Sequence, residues 1–505
     1  MQLFDFIDSF SFDQKLNDKQ IHNLERVKSL SQGFHMDAGT LDPVKDLLDE
    51  VVSGETVVLE SGHQPNFLPH SGTWKKIYLL DLIAGKLREQ GKSVLPLFGF
   101  ADLNISTPSL LYKNKVPAFT KDGCMKIGFQ IKGEDRSKPF CLVDKPSRGE
   151  WDKELGKLRD FYLENARLSG VTVKGNLDEM FSVLDECYGR ANNFADLNSF
   201  IYSKVCNKVW GLNVLFYRYS DVQRESVFVD EAYRVYNSVD EYNRLYNEAV
   251  DSLGVGLSRV DSGSYPFWFH CDCGIKIPLR RDMKCLSCGR EYSLGLDESD
   301  IRTVFHRLDY SAVCRDLVYA EGLGTSLFLS GSGGSLRYGQ VSDYVGGKLG
   351  FHRPVTLGVG GRDYYLGVVH QRVLREFTGL FDLSMDDLLD ETVLESRIKE
   401  VFSETRECLE GNPGEEAKYR GRLVSYSNQL SMINKVFGLV PSVLDLFVYL
   451  GLGGVSERWG GLSDSLVEGN KVDCSLSYDG GLVVKDSVPK LYGILSSLEV
   501  NDGVQ

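Results

Sequence analysis

Residues 56–100, TVVLESGHQPNFLPHSGTWKKIYLLDLIAGKLREQGKSVLPLFGF, decide the fold of this chain. They contain two short apolar runs, TVVLE (56–60) and SVLPLFGF (93–100), whose length and valine content are typical of buried strands. Between the runs, residues 73–90 carry apolar side chains at helical spacing, and Gly91 suits the end of that helix. A strand, a turn, a helix and a second strand form a βαβ unit, so the sequence predicts a parallel sheet.

The composition is that of a globular α/β protein and excludes several functional classes. Of the 505 residues, 42% are hydrophobic and 25% are charged, and the length suits several domains of roughly 150 residues each. The net charge of -14 argues against a general binder of nucleic acids or anionic membranes, because phosphate contacts need clustered Lys and Arg. The chain shows no basic leader, no uninterrupted apolar run of about 18 residues, and too few cysteines for a disulfide scaffold, so we expect a cytoplasmic location.

Patterns along the rest of the chain predict three regions. Alternating strand and helix signals place a Rossmann-like core in residues 1–150 and 300–375, and mainly helical patterns place a connecting domain in residues 151–299. Residues 376–505 predict a C-terminal helical hairpin with a small β tail. We expect the first helix of that hairpin to begin at Ser384 as N-cap and the tail to form a β-hairpin around Asp479, Gly480 and Gly481.

Four cysteines predict a zinc ribbon in residues 265–295. Within FHCDCGIKIPLRRDMKCLSCGREY (269–292), two short turns carry two cysteines each, which suits tetrahedral thiolate binding of a structural Zn²⁺ by Cys271, Cys273, Cys285 and Cys288. His270 is an alternative ligand to Cys271, because His270 and Cys273 have the more usual two-residue gap. A redox pair with bystanders and a chance grouping are the competing interpretations. A ribbon of this size can clamp a loop over an active site, or contact RNA through Arg280, Arg281 and Lys284.

The turn after the first strand, SGHQPNFLPHSGTWKKI (61–77), is the expected functional site. In a βαβ unit, ligands bind beyond the carboxyl ends of the strands, and the following helix N-terminus attracts anions. His63 and His70 are candidate proton donors or phosphate ligands, and Gly62 and Gly72 allow close backbone approach. The alternative is a proline-stiffened turn whose histidines only satisfy backbone groups.

Several motifs in this order resemble known enzyme families. PHSGTWKK is similar to the HxGH turn of class I aminoacyl-tRNA synthetases and nucleotidylyltransferases, with Thr73 at the last motif position. The order of GHQPNFLPHSGTWKK, SVLPLFGFAD, SAVCRD and SGSGGSLRY resembles the bacillithiol-biosynthesis cysteine-adding (BshC) family, and GHQPNFLP alone is similar to the WbqC-like family. The positions that match the BshC family pattern are Gly62, Gln64, Thr73, Lys76, Pro96, Phe98, Arg315, Thr325, Gly331, Gly333, Tyr338 and Pro354.

The BshC resemblance implies a fold, a reaction and a partner. It implies a Rossmann-like core, an inserted connecting domain and C-terminal helices that pair two chains as a homodimer. It also implies a cytosolic ligase that joins the carboxyl group of an amino acid to an amine of a small, sugar- or amino-acid-derived acceptor. The sequence departs from the family pattern after the second strand, where ADLNIS leaves only Asp102, and at Gly334 and Asp316. We therefore expect a retained scaffold with a changed substrate.

Amide formation from a free carboxylate needs activation, which assigns expected roles to the site residues. His70, Thr73 and the helix N-terminus would hold the phosphates of ATP, and His63 would stabilise charge on the leaving group. Asp102 would orient or deprotonate the acceptor amine, and Arg315 would bind a substrate carboxylate. The predicted substrate- and nucleotide-binding residues are Gly62, Gln64, Asn66, Gly72, Thr73, Lys76, Gly331, Ser332, Gly333 and Tyr338.

Structural interpretations compete with these assignments. Asp102 also fits a turn or capping residue, Arg315 an ordinary ion-pair partner, and residues 331–334 a plain strand-to-helix turn rather than an anion-binding nest. At the level of function, two further classes compete. One is a nucleotidylyltransferase acting on a sugar phosphate, and the other is a non-catalytic assembly protein that docks through the ribbon and the C-terminal hairpin.

Overall fold

The computed structural model of the chain describes residues 1–294, 297–331, 334–479 and 481–498. Its strands are β1 Val57–His63, β2 Val94–Phe100, β3 Lys113–Pro117, β4 Cys124–Gly128, β5 Leu215–Arg218, β6 Phe267–His270, β7 Lys276–Pro278, β8 Asp282–Lys284, β9 Glu291–Ser293, β10 Leu308–Tyr310, β11 Leu327–Gly331, β12 Val355–Gly360, β13 Asp363–Tyr364, β14 Leu466–Glu468, β15 Lys471–Asp473 and β16 Leu476–Ser477.

The helices fill the connections between these strands. They are α1 Leu3–Asp8, α2 Asp18–Ala38, α3 Lys45–Asp49, α4 Ser71–Glu89, α5 Arg148–Ser169, α6 Lys174–Arg190, α7 Phe194–Ser203, α8 Tyr219–Arg224, α9 Val229–Asn237, α10 Val239–Leu253, α11 Glu298–Val304, α12 Ala312–Leu323, α13 Gly334–Leu349, α14 Val368–Phe381, α15 Glu391–Gly411, α16 Glu416–Gly438, α17 Val443–Leu450, α18 Leu452–Trp459 and α19 Val488–Ser497.

A mostly parallel sheet of seven strands forms the centre of the molecule, which confirms the predicted α/β class. Its strand order is β14-β15-β12-β11-β1-β2-β5, and every neighbouring pair is parallel except β14 and β15. The predicted βαβ unit is β1, α4 and β2. The edge strands β5 and β14–β15 come from outside residues 1–150 and 300–375, so the sheet also draws on the connecting and C-terminal regions.

The two faces of the sheet bury different cores, because side chains alternate along each strand. On one face, Val57 and Leu59 of β1 pack with Trp74 and other apolar residues of α4. On the other face, Val58 packs with residues of α2, α12 and α13. The strands are apolar on both sides, as is typical of a parallel sheet covered by helices. The functional consequence is that groups at the end of β1 divide between two separate environments.

The cysteine segment forms a small inserted unit beside the main sheet. β6 pairs antiparallel with both β7 and β10, and β8 pairs with β9 in a second short hairpin. β10 is followed, after Ser311 alone, by α12 of the core. The insertion is therefore joined directly to a helix that covers the main sheet.

The C-terminal region contains the predicted antiparallel helices, α15 and α16, with two corrections. Ser384 does not begin the long helix: it caps a short 3₁₀ turn through Asp387, and α15 begins at Glu391, because the Asp390 side chain accepts the Thr392 and Val393 N–H groups.

The β-hairpin of the tail also lies earlier than predicted. β14 and β15 pair across Gly469 and Asn470, where a positive φ of 58° at Gly469 suits a tight turn. Asp479 and Gly481 lie beyond this hairpin, and Gly480 falls outside the described residues.

Among the described residues, no single helix has both the length and the apolar composition needed to cross a bilayer. One pair of helices, α16 with α17, meets the test jointly but is bent by 91° at its junction.

Candidate functional site

The turn after β1 is tied to the protein by its own hydrogen bonds. The Nδ1 of His63 lies 2.8 Å from the Gln64 carbonyl oxygen, and the Asn66 N–H donates to the same oxygen at 2.7 Å. Burial, with a further contribution from the charge of Lys76, lowers the pKa of His63 to about 3. His63 is therefore neutral near pH 7 and cannot supply the positive charge expected at a leaving group.

Lys76 is a buried cation that supports this turn. Its side chain is 2% exposed, its Nζ donates to the Gly62 carbonyl at 2.7 Å, and it lies over the ring of Phe98. Burial lowers the pKa of Lys76 to about 7. In the described part of the chain no carboxylate lies within 4.0 Å of this amine. Lys76 thus holds the end of β1 against α4 instead of projecting toward solvent.

The N-terminus of α4 already faces an anion from the chain itself. His70 precedes the helix and, with Ser71, Arg362 and Asp363, lines a pocket of about 330 Å³. The Asp363 carboxylate accepts hydrogen bonds from Ser71 and Tyr478 and pairs with the buried Lys75 at 2.9 Å. The predicted phosphate position at this helix start is therefore next to an internal carboxylate, which sequence inspection had missed.

Thr73 and Gly72 lie in the first turn of α4. Thr73 is buried, and a Cβ added at Gly72 would lie 3.2 Å from Nδ1 of His70. Asn66 is also buried, and its Oδ1 has no hydrogen-bond partner among the described residues. Gln64 is half-buried beside it. These side chains surround the turn, but most are enclosed by protein.

Asp102 has a structural position at the end of β2. Its carboxylate accepts the Ser220 N–H at 2.9 Å and the Ser220 hydroxyl, at the start of α8. Burial raises the pKa of Asp102 to about 7. Each carboxylate oxygen accepts a hydrogen bond and the residue is 1% exposed, so Asp102 anchors α8, while its role toward an acceptor amine stays a prediction.

The helix that Asp102 anchors places Tyr219 across the ends of β1 and β2. A Cβ added at Gly62 would lie 2.7 Å from the Tyr219 hydroxyl, and one added at Gly99 would clash with the same ring. Gly62 and Gly99 are neighbours in the β1–β2 register. A glycine is therefore needed at position 62 to make room for the side chain of Tyr219. The predicted close approach of a ligand to the backbone is not required to explain this glycine.

A cleft lined by charged residues lies on the opposite face of the sheet from His63 and Lys76. This α12 cleft, of about 580 Å³, lies between strands β1, β11 and β12 and helices α12 and α13. Tyr219 forms part of its wall. The charged residues that line the cleft are Glu60, Arg315, Asp316, Asp343 and Arg353.

Arg315, predicted from the sequence, is available in this cleft. Its Nη1 donates to Asn104 Oδ1 at 3.3 Å, and its guanidinium lies 5.5 Å from the centre of the Tyr219 ring. Among the described residues, no carboxylate comes within 4.0 Å of Arg315 or of Arg353. The alternative interpretation of Arg315 as an ordinary ion-pair partner finds no such pair among the described residues, and Arg315 lines the cleft.

Three carboxyl groups of the cleft have raised pKa values, and for Asp343 the cause is burial, opposed by the charge of Arg353. Burial raises the pKa of Glu60 to about 7, opposed by hydrogen bonds from Thr325 at 2.6 Å and from Tyr217. Burial also raises the pKa of Asp316 to about 7, opposed by the charge of Arg315. Glu60 was missed in the sequence, although a carboxylate at the end of an apolar strand run is an unusual feature.

The later Gly-rich segment is only partly described. Gly331 ends β11 close to the cleft residue Ser330, and α13 begins at Gly334. Ser332 and Gly333 lie outside the described residues. Tyr338 lines a different, aromatic pocket with Tyr242 and Tyr246, although its neighbour Gly339 lines the α12 cleft.

The four predicted cysteines form a candidate structural metal site. One ligand atom from each of Cys271, Cys273, Cys285 and Cys288 lies within 4.8 Å of all the others. Neighbouring sulfurs are 3.5 to 3.6 Å apart, close to the roughly 3.8 Å expected around a tetrahedral ion with bonds of about 2.3 Å. His270 is not in this group. Cys271 therefore fits as the fourth ligand, and the coordination sphere has no place for a substrate.

Comparison of the whole sequence with known proteins gives no family assignment. No protein-family model matches the chain. No curated protein matches it. A function for this protein is therefore inferred from the chemistry of the cleft and of the cysteine group.

Proposed function

We propose that the chain is an amino-acid-adding ligase that joins the carboxyl group of an amino acid to an amine of a small, sugar- or amino-acid-derived acceptor. The order of motifs that resembles the BshC family favours this reaction. The α12 cleft is the preferred substrate site, since Lys75 and Lys76 at the start of α4 are buried and bound to groups of the chain itself, and Asp363 already lies at that helix start.

One observation carries the proposal: opposite charges that have no ion-pair partner within 4.0 Å among the described residues line the same cleft. Arg315 and Asp316 are consecutive residues of α12, and both line it. A free amino acid has a carboxylate and an ammonium group one carbon apart. The guanidinium suits the carboxylate, because two parallel N–H groups match its two oxygens, and the carboxyl group suits the ammonium.

The reaction requires two bond exchanges. The amino-acid carboxylate oxygen attacks a phosphorus atom of ATP, an O–P bond forms, and pyrophosphate or ADP leaves. The acceptor amine then attacks the carbonyl carbon, a C–N bond forms, and AMP or phosphate leaves with the electron pair of the broken C–O bond. The proton lost by the nitrogen goes to a carboxylate.

Asp316 is the best candidate for that proton acceptor. A pKa of about 7 leaves a large fraction ionised near neutral pH while keeping enough basicity to accept a proton. The Glu60 carboxylate is already hydrogen-bonded by Thr325 and Tyr217, so its assigned role is electrostatic. Asp102, the acceptor expected from the sequence, is occupied by Ser220.

The proposal is tested in two independent stages. Thermal-shift and calorimetric titrations with each of the twenty amino acids measure binding without ATP, and we expect one or a few to stabilise the protein. Pyrophosphate exchange and ADP release are then measured with ATP and the amino acids that bind. Binding without nucleotide turnover would remove the activation step, and the absence of binding by every amino acid would remove the substrate class.

We also infer that the four-cysteine group binds zinc in a structural role. Four thiolates at tetrahedral spacing are the preferred donor set of Zn²⁺, and they leave no open coordination position. Elemental analysis of protein purified without added metal should give about one zinc per chain. Cys285→Ser should lower that ratio, whereas Cys408→Ser, at an exposed cysteine outside the group, should not. Absence of zinc from both proteins would contradict the assignment.

A further inference from the structure

The cysteine insertion and the α12 cleft share one short stretch of backbone. β6 leads into the turn of Cys271 and Cys273, and the same strand pairs with β10. Ser311 alone separates β10 from α12, and its N–H donates to the Pro266 carbonyl at 2.9 Å. The start of the helix that carries Arg315 and Asp316 is therefore fastened to the insertion.

A buried ion pair makes a second connection. Lys276 of β7 pairs with Asp309 of β10, with side-chain exposures of only 6% and 3%. The Lys276 Nζ also donates to the Leu103 carbonyl at 2.8 Å, in the loop that follows β2. The ammonium group of Lys276 thus connects β7 and β10 to the loop that follows β2 of the main sheet. Removing either partner would leave a buried charge without compensation.

The loop held by Lys276 reaches the cleft. Asn104 follows Leu103 directly, and its side-chain oxygen accepts the Arg315 Nη1 at 3.3 Å. The Asn104 carbonyl accepts the Phe140 N–H at 2.9 Å, which restricts this residue further. Contacts therefore run from Lys276 through Leu103 and Asn104 to the guanidinium of Arg315.

The insertion buries Phe269, Leu279 and Met283 in the same apolar core as residues of α12, but its strands are short. Strands β7, β8 and β9 have three residues each, and β6 has four. The separate two-stranded hairpin β8–β9, whose turn carries Cys285 and Cys288, is marginal without an added cross-link. A metal held by residues 271, 273, 285 and 288 would supply it. Loss of the metal would release the turn three residues before Lys276.

We propose that metal binding by the four cysteines holds Arg315 and Asp316 in their cleft positions, and that Lys276 is the positioning residue that transmits this order. The proposal rests on the substrate cleft and the zinc site assigned above. It gives the ribbon a role in substrate binding, beyond stabilising its own fold.

Hydrogen exchange with zinc as the probe tests the connection without any substrate. The full chain is compared before and after zinc removal by a chelator under reducing conditions. We expect exchange to rise at least tenfold in residues 101–106 and 312–318, with residues 77–87 of α4 unchanged as an internal reference. Increased exchange confined to residues 265–294 would overturn the proposal.

Substitutions at Lys276 separate positioning from metal retention. Lys276→Met should keep the zinc content of the wild type, raise exchange in residues 101–106, and weaken binding of the amino acid found by titration at least tenfold. Lys276→Arg should restore part of the affinity. Lys284→Met is the matched control, since Lys284 is an exposed ribbon lysine paired with Glu291.

Unchanged exchange in zinc-loaded Lys276→Met would reject Lys276 as the transmitting residue. If that variant fails to fold, the zinc-removal experiment on the wild type still decides the proposal. If no amino acid binds, the proposed function fails, but the exchange measurements remain interpretable because they require no ligand.

Discussion

The two faces of the sheet treat charge differently at the end of β1. On the α4 face, Lys75 pairs with Asp363 and Lys76 donates to the Gly62 carbonyl, so both cations bind groups of the chain itself. On the α12 face, Arg315 contacts the neutral amide of Asn104 and the ring of Tyr219, has no carboxylate within 4.0 Å among the described residues, and borders a cleft. The difference indicates that a motif rich in His and Lys can serve to hold a turn, whereas binding capacity lies where a charged side chain borders open space, as Arg315 does.

Tyr219 lies on the α12 face, over the ends of β1 and β2, and its neighbouring glycines are the most sensitive positions. Gly99→Ala should lower the free energy of unfolding by about 3 kcal/mol, because the added Cβ would overlap the buried ring. Gly85→Ala is the matched control, since a Cβ at this position in α4 meets nothing within 4 Å and should stabilise the helix by up to about 1 kcal/mol. Denaturant unfolding measures both. Equal changes in the free energy of unfolding for the two variants would show that the Tyr219 ring does not pack against Gly99.

Lys76→Met tests whether the amine of Lys76, on the α4 face of the sheet, is buried away from solvent. The folded pKa of about 7 lies below the ordinary value of 10.5, so the ionised lysine opposes folding, and stability is lost as the pH falls from about 10.5 to 7. The methionine variant should lack this dependence and be about 2 kcal/mol more stable at pH 7. Unfolding at a series of pH values measures the effect, with the exposed Lys399→Met as control. A destabilised variant at pH 7 would mean that Lys76 is ionised and well solvated.

Arg315→Ala tests whether the α12 cleft is the substrate site. Loss of a charge-assisted hydrogen bond to a substrate carboxylate should weaken amino-acid binding about 30-fold, or about 2 kcal/mol. Arg420→Ala, at an exposed arginine of the C-terminal hairpin, should leave affinity unchanged. Calorimetric titration provides the measurement. If His70→Ala weakens binding more than Arg315→Ala does, the α4 face holds the substrate instead.

Glu60→Gln should have the smallest effect, seen in the pH dependence of stability. The folded pKa of about 7 lies above the ordinary value of 4.5, so the protonated carboxyl favours folding at low pH, and this stability is lost as the pH rises through 4.5 to 7. The Glu60→Gln variant should lose about 1 to 2 kcal/mol less free energy of unfolding over this pH range than the wild type does. Thermal unfolding between pH 4.5 and 8 measures it. An unaltered pH profile would show that Glu60 is ionised throughout this range.

Much of the architecture was predictable because its signals are local. Apolar runs around a helical pattern predicted β1, α4 and β2, and the spacing of four cysteines predicted the clustered thiols. The helical pattern of residues 384–438 predicted α15 and α16. The start of α15 was misplaced because Ser384 and Asp390 are both good capping residues, and only packing decides which one begins a long helix.

The site was predictable only in part. Arg315 was singled out from its sequence context, but its surroundings come from residues far apart in the chain, including Glu60, Tyr219 and Asp343. Asp102 was assigned to chemistry because it follows a strand. Its true partner, Ser220, is 118 positions away and gives no signal near Asp102 in the sequence.

The sequence by itself determined the parallel sheet, the cysteine group and the paired C-terminal helices, because hydrophobic periodicity and ligand spacing are properties of short segments. Only the tertiary structure decided which face of β1 opens to a ligand. Side chains of adjacent strand residues point to opposite faces, so Glu60 and His63 enter different environments although three positions separate them. Whether a charge is then enclosed or available depends on which distant helix covers that face.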